Sequence, residues 1–166
     1  MFAYRCFRVR RGELRSVYTP FEWDLGVNQA ECVLDLGGSR LPSGQCGPCE
    51  APPNRSHVQG CGLYGRIDLE QPGWLDRCNL ITTRPIWPFP TDQLALGLVW
   101  AGGRIIEHHD DVIRAETMKV LLAVGWADVN PWWQDHYVKL PQKHWALEAE
   151  KTIRAQLEAW LSSAPG

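Results

Sequence analysis

Four residues near the middle of the chain carry the strongest chemical signal: Cys46, Cys49, His57 and Cys61, in the pattern Cys-x2-Cys-x7-His-x3-Cys. Zinc takes four thiolate or imidazole ligands at the corners of a tetrahedron. A Cys-x2-Cys pair delivers two sulfurs to one ion from a tight turn, and Gly47-Pro48 between them suits such a turn. His57 and Cys61 close the other side, with Gly60 and Gly62 relieving crowding around the last ligand. Four protein ligands leave no open position, so a structural zinc site is expected and a catalytic one is the exception. Cys32, at the end of NQAEC, is a fifth candidate that could replace Cys46 or His57. The alternatives to zinc are free or redox-active thiols and a structural disulfide. Cys6 and Cys78 lie in strand-like or connecting segments and read as small buried hydrophobes.

A second polar cluster is Glu107-His108-His109-Asp110-Asp111. On a strand, Glu107 and His109 share one face and His108 takes the other. Such groups could serve a metal-dependent hydrolase; the plainer reading is a polar turn at the rim of a sheet. No HExxH, GxSxG, Walker loop or dinucleotide fingerprint accompanies them, so no catalytic residue is assigned. Arginines crowd the opening segment as Arg5, Arg8, Arg10, Arg11 and Arg15. They read either as a solvated strand face or as a local anion or nucleic-acid patch, to which Arg55 in the zinc loop would add. Nine Trp is a high share, and Trp serves both cores and interfaces. The adjacent Trp132 and Trp133 point to opposite sides of any strand or loop, so one of them is expected at the surface as a candidate partner contact.

Composition narrows the classes. Seventeen Lys+Arg against nineteen Asp+Glu give a formal charge of −2, which argues against a globally basic nucleic-acid binder. Hydrophobic residues make up 45% and charged residues 22%, as in ordinary soluble domains. The uncharged stretch Gln93 to Gly103 is far short of the ~20 residues that cross a bilayer. The start, MFAYRCFRVRRG, has no apolar core of a signal peptide, so a cytoplasmic location is expected, in a bacterial cell or an infected host. Six Cys in a reducing compartment more often hold metal or stay free than pair.

The elements that must position these groups follow from periodicity. The 166 residues suit a single domain. FAYRCFRVR and ELRSVY read as a hairpin turning at Arg11-Gly12. From Gly37 to Pro53, GGSRLPSGQCGPCEAPP is too rich in Gly and Pro for a regular element, so residues 37–62 are expected to form a metal-held loop. Gly62 to Asp68 reads as a short strand, and residues 71–93 as a Pro- and Trp-containing connection. Leu94 to Ala101 reads as a central strand, apolar on both faces. Gly102-Gly103 signals a hairpin turn, Arg104 to His109 its return strand, and Val112 to Glu116 a third strand after a turn at His109-Asp110-Asp111. Residues 117–126 fit a helix or a strand equally, and Asn130-Pro131 marks a loop. Ala146, Ala149, Ile153, Leu157 and Trp160 fall on one face of a helix within 141–162, with Pro141 in its first turn and Glu150–Arg154 as a favourable i,i+4 pair. The expected class is α+β: a small antiparallel sheet or meander, a zinc-stapled loop and a C-terminal amphipathic helix.

YRCFRVRRGELRSVY, Trp23 within FEWDLGVNQAEC, CEAPP leading to GCGLYG, and LGLVWAGGRIIEHHDDVIRAE together resemble small uncharacterised proteins of actinobacteria and their phages. That family has a Tyr-Arg hairpin, a Trp–Gly–Ala–Cys segment, a His-x-Ala-Pro stretch running into Cys-x-Cys-Gly-(Ile/Leu)-Tyr, and a later hairpin ending in Arg-Ala-Glu. The resemblance spans residues 4–116 in separated segments. Here Cys49 stands where the family has the His before Ala-Pro, and Gln59 where it has the first Cys of Cys-x-Cys; Cys46, His57 and Cys32 are the residues available to compensate. The resemblance implies a metal-stapled small β-rich domain of phage or actinobacterial type, and it adds little about function. The expected function is a non-enzymatic, zinc-stabilised protein-interaction module. The alternatives are a nucleic-acid-associated regulatory protein working through the Arg-rich hairpin and zinc loop and, more weakly, a hydrolase working through residues 108–111.

Overall fold

The opening segment is the hairpin that its sequence predicts. Strands β1 (Phe2–Arg10) and β2 (Glu13–Ser16) pair antiparallel with Arg10 opposite Glu13, which leaves a two-residue loop. Arg11 and Gly12 both have positive φ, 52° and 79°. Two such residues make the turn whose twist matches that of paired strands. The computed structural model from which these positions come describes residues 1–16, 22–30, 63–67, 93–107 and 111–163. Its further strands are β3 (Val27–Gln29), β4 (Leu63–Arg66), β5 (Gln93–Glu107), β6 (Val112–Gly125) and β7 (Tyr137–Lys139). A 3-10 helix spans Pro131–His136, and helix α1 spans Trp145–Ser163. The fold is α+β, mostly antiparallel sheet with a C-terminal helix. The sheet order is β2-β1-β4-β6-β3, with β5 pairing both β1 and β6, and β7 joining β6 in parallel. Strand β5 is therefore central, as its two apolar faces require.

The chain divides into two compact units. The first comprises Met1–Arg5, Asp24–Asp68 and Val99–Val120. Here β4 pairs with both β1 and β6. Tyr4, Val99, Ile113, Met118 and Val120 are buried in it. Asn28 explains why so short a strand as β3 holds: its buried Nδ2 donates to the carbonyls of Asp24, Gly26 and Met118 at 3.0–3.2 Å, and its Oδ1 accepts from Asp24 N at 2.8 Å. A buried amide satisfied on both ends stabilises; one left open would cost about 1–3 kcal/mol.

Gly102-Gly103 is not a turn. Strand β5 runs through it without a break, and Arg104 onward continues the same strand. Gly103 takes φ 66°, and the Arg104 N–H bonds to Glu116 Oε2 at 3.0 Å. A carboxylate from β6 thus supplies an acceptor at the irregularity. Of residues 117–126, which fit a helix or a strand, 117–125 extend β6, where they continue its pairing with β3 and then with β7.

The second unit comprises Cys6–Trp23, Leu69–Leu98 and Leu121–Gly166. Its core holds Phe7, Leu14, Trp23, Leu96, Leu98, Trp133, Ile153 and Leu157. Trp23 is tied three ways: its N–H to Leu14 O at 2.9 Å, its indole N–H to Ser16 Oγ at 3.0 Å, and its ring edge-on to Phe7 at 5.1 Å and 82°. Helix α1 buries Ala149, Ile153 and Leu157, the face read from periodicity, and Arg154 pairs with Glu150 at 3.0 Å. The helix starts later than expected. His144 adopts φ 60° in the preceding turn, so Pro141 lies outside the first turn. Among the described residues no helix is long and apolar enough to cross a membrane.

Candidate binding surface

Glu13, the first residue after the hairpin turn, organises the segment that follows β6. Its Oε1 accepts from Asn130 Nδ2 at 2.6 Å, and its Oε2 accepts from the indole N–H of Trp133 at 3.0 Å and of Trp132 at 3.4 Å. One carboxylate therefore orients both rings of the Trp pair. The two rings end in opposite environments. Trp133 is fully buried, whereas Trp132 is 56% exposed. Of the two candidate partner contacts, Trp133 belongs to the core and only Trp132 reaches the surface. The cause is the 3-10 turn begun by Pro131, which sends consecutive side chains in different directions.

Asn130 also locks the hairpin tip. Its N–H donates to Gly12 O at 3.0 Å and its Nδ2 to Arg11 O at 3.2 Å. A Cβ on Gly12 would lie 2.5 Å from Asn130 Oδ1 and 2.9 Å from Asn130 N. Gly12→Ala is therefore expected to lose about 2–3 kcal/mol, from the left-handed φ and the forced retreat of Asn130. The control is Gly26→Ala, where an added Cβ meets nothing within 4 Å. Urea midpoints compare the two; equal shifts would mean that the tip is not clamped.

Beside the tip lies a polar cleft of about 630 Å3. Its walls include Arg10 and Arg11 from the hairpin, Gln93 from the start of β5, Trp126 and Asp128 beyond β6, and Lys139 at the end of β7. Lys139 Nζ pairs with Asp128 Oδ1 at 2.6 Å. Ala127, also part of the lining, is tied to the start of β7: the Tyr137 hydroxyl donates to Ala127 O at 2.9 Å. Burial, reinforced by the Asp128 carboxylate, pushes the Tyr137 hydroxyl up to about 12, so it keeps its proton and this bond throughout the neutral range.

No family model, curated protein or solved structure matches the chain. The likeness to actinobacterial and phage proteins accordingly rests on the quoted residues alone.

The remaining candidates separate by position. Cys32, Cys46, Cys49, His57 and Cys61, with Arg55 and Cys78, lie outside the described residues, as does the whole 37–62 loop. Among the described residues no three His, Cys, Asp or Glu side chains are placed to share a metal. Of the polar cluster, His108, His109 and Asp110 also lie outside; Glu107 and Asp111 are exposed. Cys6 is buried and unbridged, as read. Strand alternation sends Arg5 to one face of β1 and Arg8 and Arg10 to the other. Arg15, opposite Arg8, forms an ion pair with Glu22. Arg10 and Arg11 alone of the five line the cleft. Periodicity missed Glu13, Trp126, Asn130 and Lys139, because each matters through a partner far along the chain. Only Asn130-Pro131, flagged as a loop, carried a local signal.

Proposed function

We propose that the chain is a non-enzymatic protein-interaction module whose irregular middle segment is held by zinc. The observation that carries the interaction reading is Trp132: a large aromatic ring, 56% exposed, held by Glu13 on a turn whose next residue is anchored in the core. Rigid aromatic side chains give the largest contact energies in protein interfaces, because little entropy remains to be lost when they bind. The zinc reading is supported by the spacing of Cys46, Cys49, His57 and Cys61, with Cys32 in reserve.

The test uses the full chain as bait in an actinobacterial lysate, beside a Trp132→Ala bait. The variant should fold with stability within about 0.5 kcal/mol of the parent, because the removed ring is largely exposed. A specific partner retained by the parent should lose about 2 kcal/mol of affinity, roughly 30-fold, when measured with the purified pair. Partners bound equally by both baits would refute the assignment of this surface.

A further inference from the structure

Helix α1 carries a further feature, on a side that its core face does not use. Leu147, Lys151, Arg154, Glu158 and Leu161 follow one another at spacings of four, three, four and three, so they form one stripe along about 21 Å of helix. Leu147 and Leu161 are each 58% exposed, and Lys151 and Glu158 are exposed between them. Arg154 is half-buried and bonded to Glu150 of its own helix at 3.0 Å. Single exposed leucines are ordinary at a protein surface. What sets this stripe apart is its order of charge. It begins and ends on leucine, with a cation on one side of the midpoint and an anion on the other. Such a pattern complements itself when a second copy runs antiparallel, as the patch at any two-fold interface must.

We infer that α1 docks against α1 of a second copy of this chain, antiparallel across a two-fold axis that passes between residues 154 and 155. Lys151 of each copy then faces Glu158 of the other, and Leu147 comes beside Leu161. Arg154 meets the small, exposed Ala155 and not another Arg154. Lys151 is available for the exchange, because its contact with Glu148 at 3.4 Å joins two exposed groups and is worth little. Glu158 makes no ion pair among the described residues. One helix pair is a small interface, so the dimer is a weak one that forms as concentration rises.

Sedimentation equilibrium of the full chain should show a monomer–dimer equilibrium with a Kd on the order of 100 µM. Lys151→Glu brings like charges together twice in each dimer and should weaken it at least about tenfold, as should Glu158→Lys. Lys119→Glu, exposed on β6 and outside the stripe, makes the same change in net charge as Lys151→Glu and should leave the dimer unaltered. Melting temperatures at a dilution where every variant is monomeric should agree, since only surface side chains change. The decisive sample mixes the Lys151→Glu and Glu158→Lys variants in equal amounts. Each reversed charge then finds its opposite in the other chain, so the mixture should associate at least about tenfold more tightly than either variant alone. Three results would overturn the inference: a parent that stays monomeric at about 500 µM, a dimer that Lys119→Glu weakens as much as Lys151→Glu does, or a mixture no tighter than its components.

Discussion

Gly97→Val is expected to cost about 4 kcal/mol or more, enough to unfold a large fraction of a domain of ordinary stability. Gly97 sits in central strand β5 with the Phe7 ring laid directly over it. A Cβ placed there would run into Phe7 Cε2, with Cδ2 and Cζ only 3.0 and 3.1 Å away. Phe7 has little room to yield, because it is fully buried and packs with Trp23 edge-on at 5.1 Å. Gly97→Ala should already be destabilising, and more gently so in a Phe7→Leu background, where the ring is gone. A thermodynamic cycle over these two sites in urea gives the coupling directly. An additive cycle would mean that Phe7 does not occupy the space over Gly97.

The second large effect concerns the metal. Protein purified without chelator is expected to hold one zinc per chain by elemental analysis. Stripping it with a strong chelator should lower the thermal midpoint sharply, since structural zinc brings on the order of 10 kcal/mol of binding free energy to folding at neutral pH. Cys49→Ser should lower the zinc content and the midpoint together, because Cys49 belongs to the Cys-x2-Cys pair. Cys32→Ser separates the ligand sets: loss of zinc would put Cys32 in the site, and retention would leave it to Cys46, Cys49, His57 and Cys61. A stoichiometry near zero would remove the zinc from the proposal and leave Trp132 as its remaining support.

What was legible in the sequence was local. The hairpin could be read because Arg11 and Gly12 are a complete turn signal between two β-rich runs, and helix α1 because its buried face repeats at three and four residues. Gly102-Gly103 misled for the same reason. It has the composition of a turn, but Glu116 on β6 offers an acceptor that lets β5 continue past it. A partner 12 residues away decided the matter, and no dipeptide preference encodes that. The binding surface was less legible still. The Trp pair drew notice by composition, yet the carboxylate that orients both rings is Glu13, more than a hundred residues earlier. Lys139 and Gln93 are unremarkable in sequence and become cleft walls only through the path of β5 and β7.

The bond from Asn130 to the hairpin tip joins residues 119 positions apart. Vectorial synthesis on a ribosome therefore leaves that tip without its clamp until residue 130 has cleared the exit tunnel. A chain that closes through such distant pairings folds slowly relative to one built from neighbours. The nascent hairpin must wait, its arginines and apolar strand faces open to the cell, until the last third of the polypeptide arrives to hold it.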